Sequence, residues 1–216
     1  MPKPSGRTNA QATDLTTRAL LDATLDCIAE VGYAKASTTE IARRAGVSRG
    51  AMVHHFPAKA DLIGAATNHL FARGTAEFVR RFADFDPADR TFEKAVDLLW
   101  TMFSDDSFRA GLALIVAAST DPELQVVVHD AVEAFREDVT RVATELFPGA
   151  ATQPFADTSV IFAFAVVLGS SVYRLVGLGE YATESLSVLR VLAQLQTPAT
   201  SASTSASTSA SATATA

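Results

Sequence analysis

Residues 49 to 59, Arg-Gly-Ala-Met-Val-His-His-Phe-Pro-Ala-Lys, hold the side chains whose types and spacing point most directly to chemistry. Wound as a helix, they put Arg49, Gly50, Val53 and His54 outward, with His55 and Lys59 towards the far end and Met52 facing back. These outward groups are short or cationic. Gly50 and Ala51 keep the leading turns slim enough to enter a major groove, and Arg49 offers a planar fork that suits guanine. Spacing alone also allows a helical hairpin with a solvated charged face.

The elements that would position this face are legible just upstream. Ser37 followed by Glu40 is a capping-box pattern that starts a helix with Ile41, Ala42 and Ala45 on its inner side. Gly46 ends that helix in a left-handed turn, Val47 fills the angle, and Ser48 caps the next helix. Ala42 is small where the two helices cross. The reading is a helix-turn-helix. Residues 16 to 31 form an amphipathic helix with Leu20, Ala23, Cys27, Ile28 and Val31 on one stripe, stopped by Gly32. Lys59, Asp61 and Leu62 open a further helix. Cys27, the single cysteine, lies on the buried stripe and reads as packing rather than a redox switch.

With these residues in place, the chain resembles the tetracycline-repressor (TetR) family of bacterial transcriptional regulators. Ala29, Gly32 and Tyr33, then Ser37, Ile41 and Ala42, then Ala45-Gly46-Val47-Ser48, and finally His55-Phe56-Pro57-Ala58-Lys59 with Leu62 carry the likeness over roughly residues 15 to 70. The resemblance implies that Thr39, Arg49, Gly50, Ala51, His54, His55 and Lys59 face DNA, while Ser37 and Ser48 serve as caps first and phosphate contacts second. Val53 stands where the family usually carries a tyrosine, so a phosphate-binding hydroxyl is missing. Val53 either touches a thymine methyl or packs.

Charge follows a head-and-body division. Residues 1 to 74 hold nine Lys or Arg against six Asp or Glu, and residues 75 to 216 hold nine against eighteen, within a net charge of -6. A locally basic head can bind DNA while the acidic body limits indiscriminate association. The expected organisation is a loose arm over 1–13, a helix-turn-helix domain over 14–74, a helical body over 75–197 and a disordered Ser/Ala/Thr tail over 198–216. A hydrophobic share of 48% without a basic, apolar leader points to a cytoplasmic chain.

The body reads as all-α, so the whole chain is expected to be all-α. Asp86-Pro87 is expected to open a helix through Val96, Leu99, Trp100 and Phe103, with Ser104-Asp105-Asp106 as a break before a short helix from Phe108 to Ala118. Asp121-Pro122-Glu123 opens a long helix reaching Phe147, and two more follow, over 155–176 and 181–196. Residues 158 to 173 carry no charge. That run falls short of a membrane span and suits a helix buried on two sides, against its own body and a partner. In the family it resembles, the last two helices form a four-helix dimer interface.

Catalytic constellations are not apparent: His54, His55, His69 and His129 form no ligand set, and adjacent Asp105 and Asp106 suit a helix cap. No metal or cofactor is expected. The resemblance implies a pocket for a small effector. Trp100, Phe103, Phe108, Leu112, Phe135, Phe162 and Phe164 could surround an apolar molecule, with His129, Arg109 or Arg174 as polar anchors, although ordinary core packing explains the same aromatics. The implied protein is a homodimeric repressor that binds a palindromic double-stranded operator and is released by a small apolar effector, with no membrane partner. The alternative is a helical small-molecule-binding protein or enzyme with a vestigial DNA-binding head.

Overall fold

The structure, a computed structural model, describes residues 9–103, 106–149 and 156–195. Among them are nine α-helices and two short 3-10 turns, and no strand. The helices are α1 (Asn9–Val31), α2 (Thr38–Arg44), α3 (Arg49–His55), α4 (Lys59–Ala83), α5 (Phe92–Met102), α6 (Asp106–Ala118), α7 (Pro122–Leu146), α8 (Ala156–Leu175) and α9 (Gly179–Leu195). The all-α expectation holds throughout them.

The turn between α2 and α3 follows from Gly46. Its φ of 68° lets the Val47 N–H reach the Ala42 carbonyl at 3.0 Å and the Gly46 N–H reach that of Arg43 at 3.2 Å, which satisfies the last carbonyls of α2. Ser48 then accepts the Ala51 N–H at 3.1 Å and starts α3. Ser37 accepts the Glu40 N–H at 3.2 Å, but the Glu40 carboxylate is drawn to Arg43 and Arg44, so only half of the expected capping box forms. Asp121 caps α7 through the N–H groups of Glu123 and Leu124, with Pro122 in the first turn. The α8–α9 hairpin closes on Gly177, φ 83°, with the Leu178 N–H on the Tyr173 carbonyl and the Gly177 N–H on that of Arg174.

Two expectations about element bounds are corrected. Helix α1 begins at Asn9 rather than 16, so residues 9–13 are not a loose arm; their Asn-Ala-Gln-Ala-Thr run contains no helix breaker. Asp86-Pro87 opens only a 3-10 turn, and Thr91 caps α5 by accepting the Lys94 N–H. The physical reason is Arg90, whose guanidinium donates to the Ala83 and Phe85 carbonyls at 2.7 and 3.1 Å and closes the end of α4 against it. The division expected after residue 74 falls inside the 25-residue α4. Residues 1–8 and the expected 198–216 tail lie outside the described residues.

Packing binds head to body. One core cluster joins Leu20 and Ile28 of α1, Ile41 of α2, Met52 of α3 and Leu62 and Ile63 of α4 to Leu114 of α6 and Leu124 and Val128 of α7. A second gathers Val96, Ala163, Val167, Leu186 and Leu189 from α5, α8 and α9, and a third centres on Phe82, Ala95 and Leu98. Helices α4 and α7 run side by side in the same direction: Gly64 lies against Val127, Phe71 stacks on Phe135, and Phe82 meets Phe147.

Candidate DNA-reading face and body cavity

Met52, 2% exposed, pins α3 to the core and thereby turns the opposite side of the helix to solvent. Arg49, Gly50, Val53 and His54 are all exposed there, with Thr39 exposed on α2. Arg49 forms no ion pair among the described residues, whereas Arg43 and Arg44 are engaged by Glu40 and Glu30. Hydrogen bonds from Arg43 and Arg44 hold the Glu40 carboxyl down at about 2. A Cβ added at Gly50 would meet nothing closer than Ser48 Oγ at 3.9 Å, so the fold does not require glycine at that position. Val53 is 46% exposed on the same face, outside the core that Met52 joins.

The far end of the face is more constrained. His55 is half-buried, with Nδ1 3.2 Å from Thr17 Oγ1 on α1, and so tethers α3 to the first helix. Lys59 sits at the start of α4 with its ammonium 4.4 Å from the centre of the Tyr33 ring, a cation–π contact that holds the charge at the head's edge. Ala51 is half-buried, and the exposed Ser37 and Ser48 spend their hydroxyl lone pairs on helix caps.

A cavity of about 640 Å³ lies in the body between α4, α5, α6, α7 and α8, within the range of about 300 to 1,000 Å³ usual for small-molecule sites. Phe103, Phe108, Leu112, Phe135 and Phe164 line it. Phe71 and Phe78 of α4, Phe92 of α5 and Phe147 after α7 line it too, with Gly74 and Thr75 on the α4 wall. The Thr75 Oγ1 is buried with no hydrogen-bond partner among the described residues. Where the wall reaches solvent, Glu77 accepts two N–H bonds from Arg80 and one from Arg81, which hold its carboxyl below the usual range.

A model of the bacterial regulatory proteins of the tetR family matches residues 20–66, the segment from α1 to α4. The chain is 34% identical over 158 residues to an HTH-type transcriptional regulator of Mycobacterium tuberculosis, across 73% of this chain and 80% of that one. The chain belongs to the tetR family. It is also 37% identical over 133 residues to the HTH-type transcriptional regulator CymR of Pseudomonas putida, covering 62% of this chain and 66% of CymR. The regulator FadR of Bacillus subtilis, solved in complex with stearoyl-CoA, shares the fold with a TM-score of 0.56 at 15% identity, over 80% of this chain and 96% of that one. As a tetR-family protein the chain is a DNA-binding transcriptional regulator, not an enzyme.

Not all residues expected at the effector site of this tetR-family regulator lie on the cavity. Phe162 is 48% exposed, because it stands two residues from the inward-facing Phe164 and the helical turn carries it to the other side of α8. Arg174 stacks over the Trp100 ring at 4.6 Å and donates to the Phe103 carbonyl at 2.8 Å, so this pair locks α8 to the end of α5 and lies off the lining. His129 is exposed on α7 beside Asp130, and Arg109 is exposed on α6. Phe71, Gly74, Thr75 and Phe78 recur at helical spacing on α4, but the division expected after residue 74 cuts this helix in two and hides the shared face.

Proposed function

We propose that this protein is a cytoplasmic repressor that binds a palindromic operator as a homodimer and is released by a small apolar effector. The observation that carries the reading is the exposed α3 face, on which Arg49 is unpaired among the described residues and Gly50 has no packing role. A vestigial head would not need to keep that surface slim and cationic. This speaks against the alternative of a small-molecule binder or enzyme with an idle head.

Dimerisation is supported by the outer faces of α8 and α9, where Ile161, Phe162, Tyr173, Val188, Val191 and Leu192 are exposed together. Asp157–Leu175 is the one stretch among the described residues long and apolar enough to cross a membrane; its place against α5, α7 and α9 suits a helix shared between two subunits better. An effector cavity is supported by the aromatic lining and by FadR, a fold relative crystallised with stearoyl-CoA. Helix α4 runs from Lys59 at the DNA edge to Phe78 and Arg81 at the cavity, so a ligand that shifts α4 also shifts the head. Two heads must stand about 34 Å apart to enter successive faces of the major groove, and a changed separation releases the operator.

The test is an anisotropy titration of a duplex selected from random DNA, with sedimentation of the complex. Two protomers per duplex, and displacement by a ligand that raises the melting temperature, are the expected results. A ligand that stabilises the protein without changing DNA affinity would remove release from the proposal, because coupling between two sites is reciprocal.

A further inference from the structure

The cavity wall contains a glycine that packing does not explain. Gly74 lies in the interior of α4, where glycine weakens a helix, and a Cβ placed on it would meet nothing within 4 Å. Gly64 on the same helix is the contrasting case: its Cβ would come within 2.9 Å of Val127 Cγ1, so close helix packing requires it. Gly74 instead keeps space open, and the space is the cavity.

The chemistry around that space is asymmetric. Eight of the chain's 13 phenylalanines line it, without a tyrosine or tryptophan. Its polar groups gather on α4. Thr75 brings a hydroxyl with no partner among the described residues. The one carboxylate on the lining, Glu77, already accepts three guanidinium N–H bonds, so it is a poor counter-charge for a cation. Arg73 is taken up by Asp22, and Arg80 by Glu77 with Asp84 at 3.9 Å. Arg81 gives Glu77 only its Nε–H, which leaves its two terminal amino groups without a partner among the described residues. A guanidinium fork of this kind suits a carboxylate or similar oxyanion.

We propose that the cavity takes an apolar, aromatic-bodied molecule with one anionic group, the body held among the phenylalanines over Gly74 and the anion at Arg81. The proposal rests on the reading of this cavity as the effector site and names the class of ligand. Glu77 orients Arg81 and repels a second negative charge, which favours a monoanion over a dianion.

Calorimetric titration of the purified full chain with three probes of one shape tests this: 4-biphenylcarboxylate, 4-biphenylmethanol and (4-biphenylmethyl)trimethylammonium. The carboxylate should bind about tenfold more tightly than the alcohol, as a charge-assisted bidentate bond predicts, and the ammonium should bind most weakly. Arg81→Gln should erase the carboxylate's advantage and leave the alcohol's affinity as it was, while Arg81→Lys should keep part of it. Gly74→Leu should abolish binding of both carboxylate and alcohol with a melting temperature equal to or above that of the wild type. Equal affinities for carboxylate and alcohol, an advantage that survives Arg81→Gln, or tightest binding of the ammonium would overturn the anion assignment and leave an apolar cavity standing. Failure of all three to bind the wild type, or binding that survives Gly74→Leu, would overturn the cavity reading beneath it as well.

Discussion

Gly64 on α4 and Val127 on α7 stand so close that a Cβ on Gly64 would lie 2.9 Å from Val127 Cγ1. Valine cannot easily turn its methyl aside, because its χ1 is restricted. Head and body therefore meet through a contact without slack, at the level of α4 between Lys59 and the cavity. Gly64→Ala should lower stability by about 1 to 3 kcal/mol, the usual cost of overpacking, and weaken operator binding by displacing α4. Val127→Ala added to it should recover most of the loss, which a double-mutant cycle by thermal melting measures.

Gly46 is needed for its backbone rather than for space. A Cβ there would meet nothing within 4 Å, yet φ is 68°, so Gly46→Ala should cost about 1 to 2 kcal/mol through the left-handed conformation alone. Gly46→Asn should retain more stability than Gly46→Ala, because asparagine visits this region more readily. Chemical denaturation of the three proteins makes the comparison, and equal loss in both variants would mean that the turn is not the cause.

These two glycines show how unevenly the sequence discloses the structure. The helix-turn-helix was readable because Ser37, Gly46 and Ser48 act on neighbours within a few residues, and each does so in the structure. The end of α4 was not readable, since it depends on Arg90 reaching back to Ala83 and Phe85. Four of the eight phenylalanines on the cavity, Phe103, Phe108, Phe135 and Phe164, stand out in the sequence of the body. Phe162 was misplaced, although its two-residue offset from Phe164 already set the pair on opposite sides of one helix. The role of Gly74 needs the tertiary space around it and leaves no mark in local pattern.

Phe162 provides a test of the subunit interface. Its exposed ring on α8 lies among other exposed apolar side chains, so Phe162→Asp should give a folded monomer with greatly weakened operator binding. Sedimentation velocity with circular dichroism would show this. A variant that remains dimeric would place the interface elsewhere.

Glu40 sets an acid limit on the head. Its folded carboxyl titrates at about 2, against an ordinary value of 4.5, because Arg43 and Arg44 donate to it. A lowered folded value adds stability that is complete above 4.5 and is lost as pH falls towards 2. The ion pairs are exposed, so salt should reduce the effect. The melting temperature of the wild type should exceed that of Glu40→Gln by more at pH 7 than at pH 3, and by less in 1 M salt. A difference independent of pH would mean that the ion pairs contribute nothing.

The central claim is that α3 reads base sequence through Arg49, and selection of binding sites from random duplexes at physiological salt tests it most directly. The wild type should enrich an inverted repeat, Arg49→Ala should lose preference at one symmetric position at a cost of about 1 to 3 kcal/mol per half-site, and Lys59→Ala should weaken all sequences alike. No enriched repeat for the wild type, or identical profiles for the wild type and Arg49→Ala, would contradict the claim.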